Sequence, residues 1–210
     1  MFKQKSLKVK MILLNTGSLV TLALAVATII YLMLQQHMKD YAITSQETNM
    51  RVAWEMVKNR GDEFKVADNN MYFGDYKVNN QFEVVDKVKE LVGGTATIFM
   101  GDTRVSTNVV KPDGSRAVGT KLAAGPAYDS IFGKGESYRG EVDILGQKYF
   151  AAYDPIKDKT GKVIGILYTG IKKSDFFAVI NKAMIGIIGA SALIALLFSC
   201  LLYTSPSPRD

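Results

Sequence analysis

The sequence predicts an α+β domain, helices first and antiparallel strands after, carried between two membrane-spanning helices. Three observations predict it. Two uncharged apolar runs lie near the ends of the 210 residues. A helical apolar period fills the segment after the first run, and from Thr95 the period changes to alternation punctuated by Gly and Pro.

Met11 to Leu34 is 24 residues without a charge. As a helix it is about 36 Å long, enough to cross a hydrocarbon core of about 30 Å with some tilt. A cleaved signal peptide is the competing reading. The run exceeds the usual hydrophobic segment, and no small-x-small site follows Tyr31, so retention as an anchor is favoured. A second uncharged run begins at Ala183 and continues through Phe198. The resulting division is 1–10 cytoplasmic, 11–34 first span, 35–182 outside, 183–199 second span and 200–210 tail.

The formal charge of +6 is unevenly placed, because residues 1–10 carry four lysines and no acid while residues 35–182 carry 21 bases and 19 acids. Lys3, Lys5, Lys8 and Lys10 put the N-terminus in the cytoplasm by the positive-inside rule. The rest of the chain lacks the broad basic face of a nucleic-acid binder, and nucleic acid is excluded as a partner.

Residues 200–210, CLLYTSPSPRD, resemble a translated transposase-type sequencing adapter, since TGTCTCTTATACACATCT encodes Cys-Leu-Leu-Tyr-Thr-Ser. They are read as joined to a truncated gene. Cys200, the single cysteine, lies in that tail, so disulfides, thiolate catalysis and cysteine metal sites drop out together.

Met38 to Arg60 contains no Gly or Pro, and Met50, Ala53, Trp54 and Val57 fall on one helical face closed by Gly61. This helix continues the first span directly. Phe82 to Leu91 is a second helix with a stripe of Val84, Val85, Val88 and Leu91, ended by Gly93-Gly94. Ala96–Met100 and Thr103–Val109 flank Gly101-Asp102, a loop suited to a type II′ hairpin. Uninterrupted pairing puts Thr97, Phe99, Arg104, Ser106 and Asn108 on one face and Ala96, Ile98, Met100, Val105 and Thr107 on the other. A turn at Pro112-Asp113-Gly114, a short strand at Arg116–Leu122 and a brief helix at Pro126–Phe132 follow. Tyr138–Leu145, Lys148–Ile156 and Lys162–Ile171 then form a meander with turns at Gly146-Gln147 and Asp158–Gly161.

GGTATIFMGDTRVSTNV, DGSRAVGTKLA, GPAYD, GESYRGEVDILGQKYFAAYDPIKD and GKVIGILYTGIKK together resemble the extracytoplasmic single Cache domain of bacterial methyl-accepting chemotaxis proteins, over about Met38 to Phe177. The resemblance implies a PAS-like fold: a long N-terminal helix on an antiparallel sheet of about five strands, with a small-molecule pocket over one face. It implies a homodimer in the bacterial inner membrane, its sensor domain periplasmic or extracellular. A cytoplasmic kinase and coupling protein are reached through segments beyond residue 199. The rival outputs are a histidine kinase and a diguanylate cyclase, and a membrane-tethered docking domain without its own ligand is the reading from another class.

No catalytic constellation is read from the sequence, and neither a metal nor a cofactor is expected. His37, the only histidine, stands just past the first span as an interfacial ring. Glu141 and Asp143 share one strand face and are read as a solvated edge. Among the cations Arg104, Arg116, Lys121, Arg139 and Lys148, Arg104 stands out because Ser106 and Asn108 share its predicted face beside Phe99. The expected ligand site is Arg104, Ser106 and Asn108, with Arg116 and Lys121 from the following loop and Tyr138, Tyr149 and Tyr153 as walls. A small carboxylate is the expected ligand. Related citrate and dicarboxylate sensors carry further basic residues before their Pro-Ile, whereas Phe150, Ala151, Ala152, Tyr153 and Asp154 precede Pro155-Ile156 here, which favours a smaller, singly charged acid.

Overall fold

The computed structural model describes residues 7–204, so Lys3, Lys5 and the last six residues of the adapter-like tail lie outside the described residues. Two compact units are present: Lys39–Phe176, and a second built from the residues up to Met38 and from Phe177 onward. Helix α1 (Leu7–Lys58) is continuous, as expected from a stretch with no proline and a single glycine, Gly17. Helix α4 (Lys173–Thr204) ends the described chain. Both helices are long and apolar enough, by length and composition, to cross a bilayer. In the second unit their large apolar side chains, among them Leu19, Leu22, Leu32, Ile185 and Leu193, are exposed.

In the unit Lys39–Phe176, a five-stranded antiparallel sheet separates two cores. Its strands are β4 (Thr95–Met100), β5 (Thr103–Thr107), β6 (Tyr138–Ile144), β7 (Gln147–Lys157) and β8 (Val163–Lys172), in spatial order β5-β4-β8-β7-β6. On one face pack α1 and α2 (Glu83–Val92) through Met50, Ala53, Val57, Val84, Val85 and Val88. These positions recur at three- and four-residue spacing, which is why the stripe reads from sequence. Leu91 departs from that reading and is exposed, because the helix turns it away before Gly93. The other face carries Phe99, Ile144, Tyr149, Tyr153, Ile166 and Tyr168 under the loop 108–125 and α3 (Pro126–Tyr128), which continues as a π-helical turn over Asp129–Lys134. Pro126 is the first helical residue, as predicted.

A small sheet of β1 (Phe64–Ala67), β2 (Asn70–Phe73) and β3 (Tyr76–Lys77) was not read from the sequence. Its first turn is Asp68-Asn69, both at positive φ (49° and 57°). Asp and Asn tolerate that region, so the Asp-Asn pair was the available signal.

The β4–β5 hairpin turns at Gly101-Asp102 with Gly101 at φ 54°, as a type II′ loop requires. Its register corrects the predicted faces. A bulge opposite Ile98 makes Val105 an extra residue, so Phe99 pairs with Arg104 but Ile98 pairs with Ser106 and Thr97 with Thr107. Beyond the bulge every side chain changes face. Thr107 joins Thr97, the two hydroxyls 2.6 Å apart, while Ser106 and Asn108 turn toward α2.

Two further boundaries differ. Residues Arg116–Leu122 form no strand; residues 119–122 run along the outer edge of the β4–β5 hairpin with an isolated bridge at Thr103–Lys121, and Arg116 makes another with Val110 beyond β5. The β6–β7 loop is Leu145-Gly146, both at positive φ, and Gln147 pairs with Ile144. A leucine seldom takes that conformation, which is why the loop was read one residue late.

Candidate functional site

A cavity of about 530 Å³ lies on the loop-covered side of the sheet. Its walls are Arg104, the segment Thr120–Ala127, β6 from Glu141 to Ile144, the Leu145-Gly146 turn, and Tyr153. The loop reaches this position because it is hydrogen-bonded to β5: Arg104 N donates to Thr120 O at 2.9 Å, Gly119 N to Arg104 O at 2.9 Å, and Leu122 N to Asp102 O at 2.8 Å. Leu122, Ala127, Val142 and Ile144 supply its apolar lining, and Thr120, Lys121, Glu141 and Asp143 are its polar lining residues beside Arg104.

Arg104 is the one arginine in this lining, and only 5% of it is exposed. Its Nη1 donates to Thr120 Oγ1 at 2.8 Å and to Lys121 O at 3.2 Å, and its guanidinium lies 4.9 Å from the centre of the Phe99 ring. Among the described residues no carboxylate comes within ion-pair distance of it, and Nε is buried without a partner. Burial therefore pulls its pKa below the usual arginine value, with the neighbouring Tyr153 and Tyr168 opposing weakly. Burial also pushes the hydroxyl of Tyr153 well above its usual range, so at neutral pH it keeps the proton needed to donate to an anion. A buried cation facing a cavity, with the protonated Tyr153 hydroxyl nearby, is an arrangement able to receive an anion.

The remaining predicted residues divide. Lys121 lines the cavity, but its ammonium points outward to Asp102 at 3.1 Å. Tyr149 lies on the same face of β7 as Tyr153, inside the core and outside the cavity lining. Tyr138 packs on Tyr153 at 6.3 Å, and its hydroxyl donates to Glu141 O. Arg116 is not in the cavity: it grips Asp86 of α2 with two bonds, 2.8 and 2.9 Å, and lies over Phe82. Ser106 donates to Gln81 O, just before α2, and Asn108 links Ala96 N to Val85 O within α2, so they fasten that helix and its lead-in to the sheet. The bulge at Val105 is the reason. Thr120 is the residue the sequence reading missed, although Gly119-Thr120-Lys121 stood inside a motif already singled out.

The opposite face handles its charges differently. Arg139 donates to Glu47 of α1 at 2.8 Å and to Asp154 of β7 at 2.7 Å, and Asp154 also accepts from Trp54 Nε1. Burial acts against the charge of Arg139, but the hydrogen bonds and charges of Asp154 and Glu47 outweigh it and its pKa is raised. Glu141, read as a solvated edge, is instead held between Lys173 at 3.0 Å and Lys39 at 3.3 Å. Those bonds, Lys173 first, hold its carboxyl below the usual range. Among the described residues no cluster of His, Cys, Asp and Glu is placed to hold a metal ion.

Residues 76–183 match the family described as Single cache domain 3. The chain belongs to that single Cache family, whose members are extracytoplasmic, ligand-binding sensor modules of membrane receptors with the α+β, PAS-like fold seen here. Among solved structures it is similar to the sensor domain of Escherichia coli DcuS, at 18% identity and TM-score 0.38, covering 71% of this chain and 98% of that one. It is also similar to the periplasmic sensory domain of the Campylobacter jejuni chemoreceptor Tlp1, at 14% identity and TM-score 0.42, covering 72% of this chain and 61% of that one. No curated protein matches the chain.

Proposed function

We propose that the chain is the sensing portion of a bacterial methyl-accepting chemoreceptor, that its outer domain binds a small, singly charged carboxylate against Arg104, and that α1 and α4 cross the cell membrane. The observation that carries the ligand reading is Arg104 itself. A guanidinium 5% exposed, with no carboxylate within ion-pair distance among the described residues, lines a cavity of about 530 Å³ whose walls mix apolar and polar groups. A protein tolerates so unfavourable a charge where an anion completes it. Charge narrows the anion, since Lys121 is engaged by Asp102 and no second cation among the described residues reaches into the cavity. One negative charge matches the single unpaired cation better than a di- or tricarboxylate does.

The site consists of Arg104, Thr120 and Tyr153, with Lys121 at the mouth. The domain boundaries of the reading are spans at 11–34 and 183–199 around an outer domain at 35–182, working as a homodimer that passes the event to a cytoplasmic kinase and its coupling protein. Two experiments test it. Thermal melting of the full chain in nanodiscs, followed by fluorescence of the single tryptophan Trp54, should shift upward with acetate, propionate, pyruvate or lactate and not with their methyl esters. Absence of any shift with every acid discards the ligand. Reporter fusions after Lys182 should behave as periplasmic and fusions at Met1 as cytoplasmic; the reverse pattern discards the receptor topology.

A further inference from the structure

The donors of Arg104 are not equivalent. Both hydrogens of Nη1 are taken, one by Thr120 Oγ1 at 2.8 Å and one by Lys121 O at 3.2 Å. Thr120 Oγ1 spends its own hydrogen on Ala117 O at 2.7 Å, so toward Arg104 it acts only as an acceptor. The loop cannot drift from this pose, because Thr120 O also accepts from Arg104 N at 2.9 Å. Phe99, fully buried, fixes the plane of the guanidinium from one side. Nε is left buried with no partner, and Nη2 makes no hydrogen bond with any described residue. Nε–H and one Nη2–H lie on the same edge of the guanidinium, parallel and spaced to meet the two oxygens of a carboxylate.

We infer that the ligand's carboxylate is gripped side-on by Nε and Nη2 of Arg104, and that Thr120 is the positioning residue that selects this edge by occupying Nη1. The inference rests on the carboxylate reading above and adds the geometry that makes the site select a planar two-oxygen anion over a spherical one such as chloride. A lysine supplies the same charge at Arg104 without two parallel donors, so charge and fork separate by experiment. Thr120 acts through Arg104, so its loss should weaken binding less than loss of the fork, and serine should restore it.

The full chain in nanodiscs is titrated calorimetrically with acetate, propionate, pyruvate and lactate in chloride-free buffer, and the tightest acid is carried through three variants. Arg104→Lys should weaken that acid by about 30-fold or more, and Thr120→Val by about 5- to 20-fold. Thr120→Ser should bind within about twofold of wild type. Chloride should compete with the acid poorly. If Arg104→Lys binds within about threefold of wild type, or Thr120→Val binds as wild type does, the side-on grip is wrong and the carboxylate reading stands. Failure of Thr120→Ser to recover binding would remove the positioning role. If none of the four acids binds the wild-type chain, the carboxylate reading fails and the grip fails with it. Should Thr120→Val not fold, Arg104→Lys against wild type decides the grip alone.

Discussion

Arg104 and Arg139 stand on opposite faces of one sheet and show two ways of burying a guanidinium. Arg139 brings its counter-ions with it: Glu47 and Asp154 accept its protons within 2.8 Å, and its charged form is favoured. Arg104 is more deeply buried, keeps only a hydroxyl and a carbonyl for company, and its charged form is disfavoured. The first arrangement fastens α1 to β7. The second leaves Nε without a partner among the described residues, the donor that the proposed carboxylate would engage. A buried arginine therefore speaks for structure or for binding according to whether its carboxylate is encoded.

Breaking each arginine should separate these roles. Arg104→Ala should lower affinity for the bound acid by about 30- to 1,000-fold, corresponding to about 2 to 4 kcal/mol, and leave the fold intact by circular dichroism. Arg139→Met should do the converse, since it strands Asp154, which is 14% exposed, beside Trp54 alone. A loss of about 2 to 3 kcal/mol in stability is expected, somewhat below that for a fully buried pair, with affinity unchanged. Loss of acid binding in Arg139→Met without loss of stability would break the comparison.

Asn108 sharpens it. Sequence alone put Asn108 beside Arg104, whereas its amide bridges Ala96 N at 2.7 Å and Val85 O at 2.6 Å. Asn108→Ala should cost about 1 to 3 kcal/mol in unfolding and bind acid normally. The smallest effect belongs to Glu141, whose folded pKa is depressed chiefly by Lys173. A depressed folded pKa gives stability that is present above the unfolded carboxylate pKa and is lost as pH falls through the folded value. Glu141→Gln should lower stability at pH 7 by about 0.5 to 1 kcal/mol, and the difference from wild type should shrink in melts at progressively lower pH as the folded carboxyl is protonated.

Much of the fold was legible because its elements carry strong periods. Met50, Ala53 and Val57 mark the inner face of α1, and the three strands of the meander follow from alternation between glycine turns. The pairing of β4 with β8 was not, since nothing local encodes a strand inserted beside a neighbour so distant in sequence. The site was half legible. That Arg104 and Tyr153 share one face, where both line the cavity, was legible because alternation holds from Gly101 back to Phe99 and along β7. Ser106 and Asn108 were misplaced because one extra residue, Val105, inverts the faces after it, and no residue type announces such a bulge. Arg116 looked like a second anion contact because Asp86, its partner, lies 30 residues earlier on α2.

The central claim is that Arg104 is kept buried and unpaired at a cost to the ligand-free domain. Its most direct test is the thermal stability of Arg104→Met against wild type, full chain in nanodiscs, no organic acid present, read by Trp54 fluorescence. The account predicts that the variant melts above wild type, by an amount equivalent to about 1 to 3 kcal/mol, because a methionine fills the space without a charge to desolvate. A variant that melts below wild type would show that Arg104, like Arg139, is a structural residue, and would contradict the account.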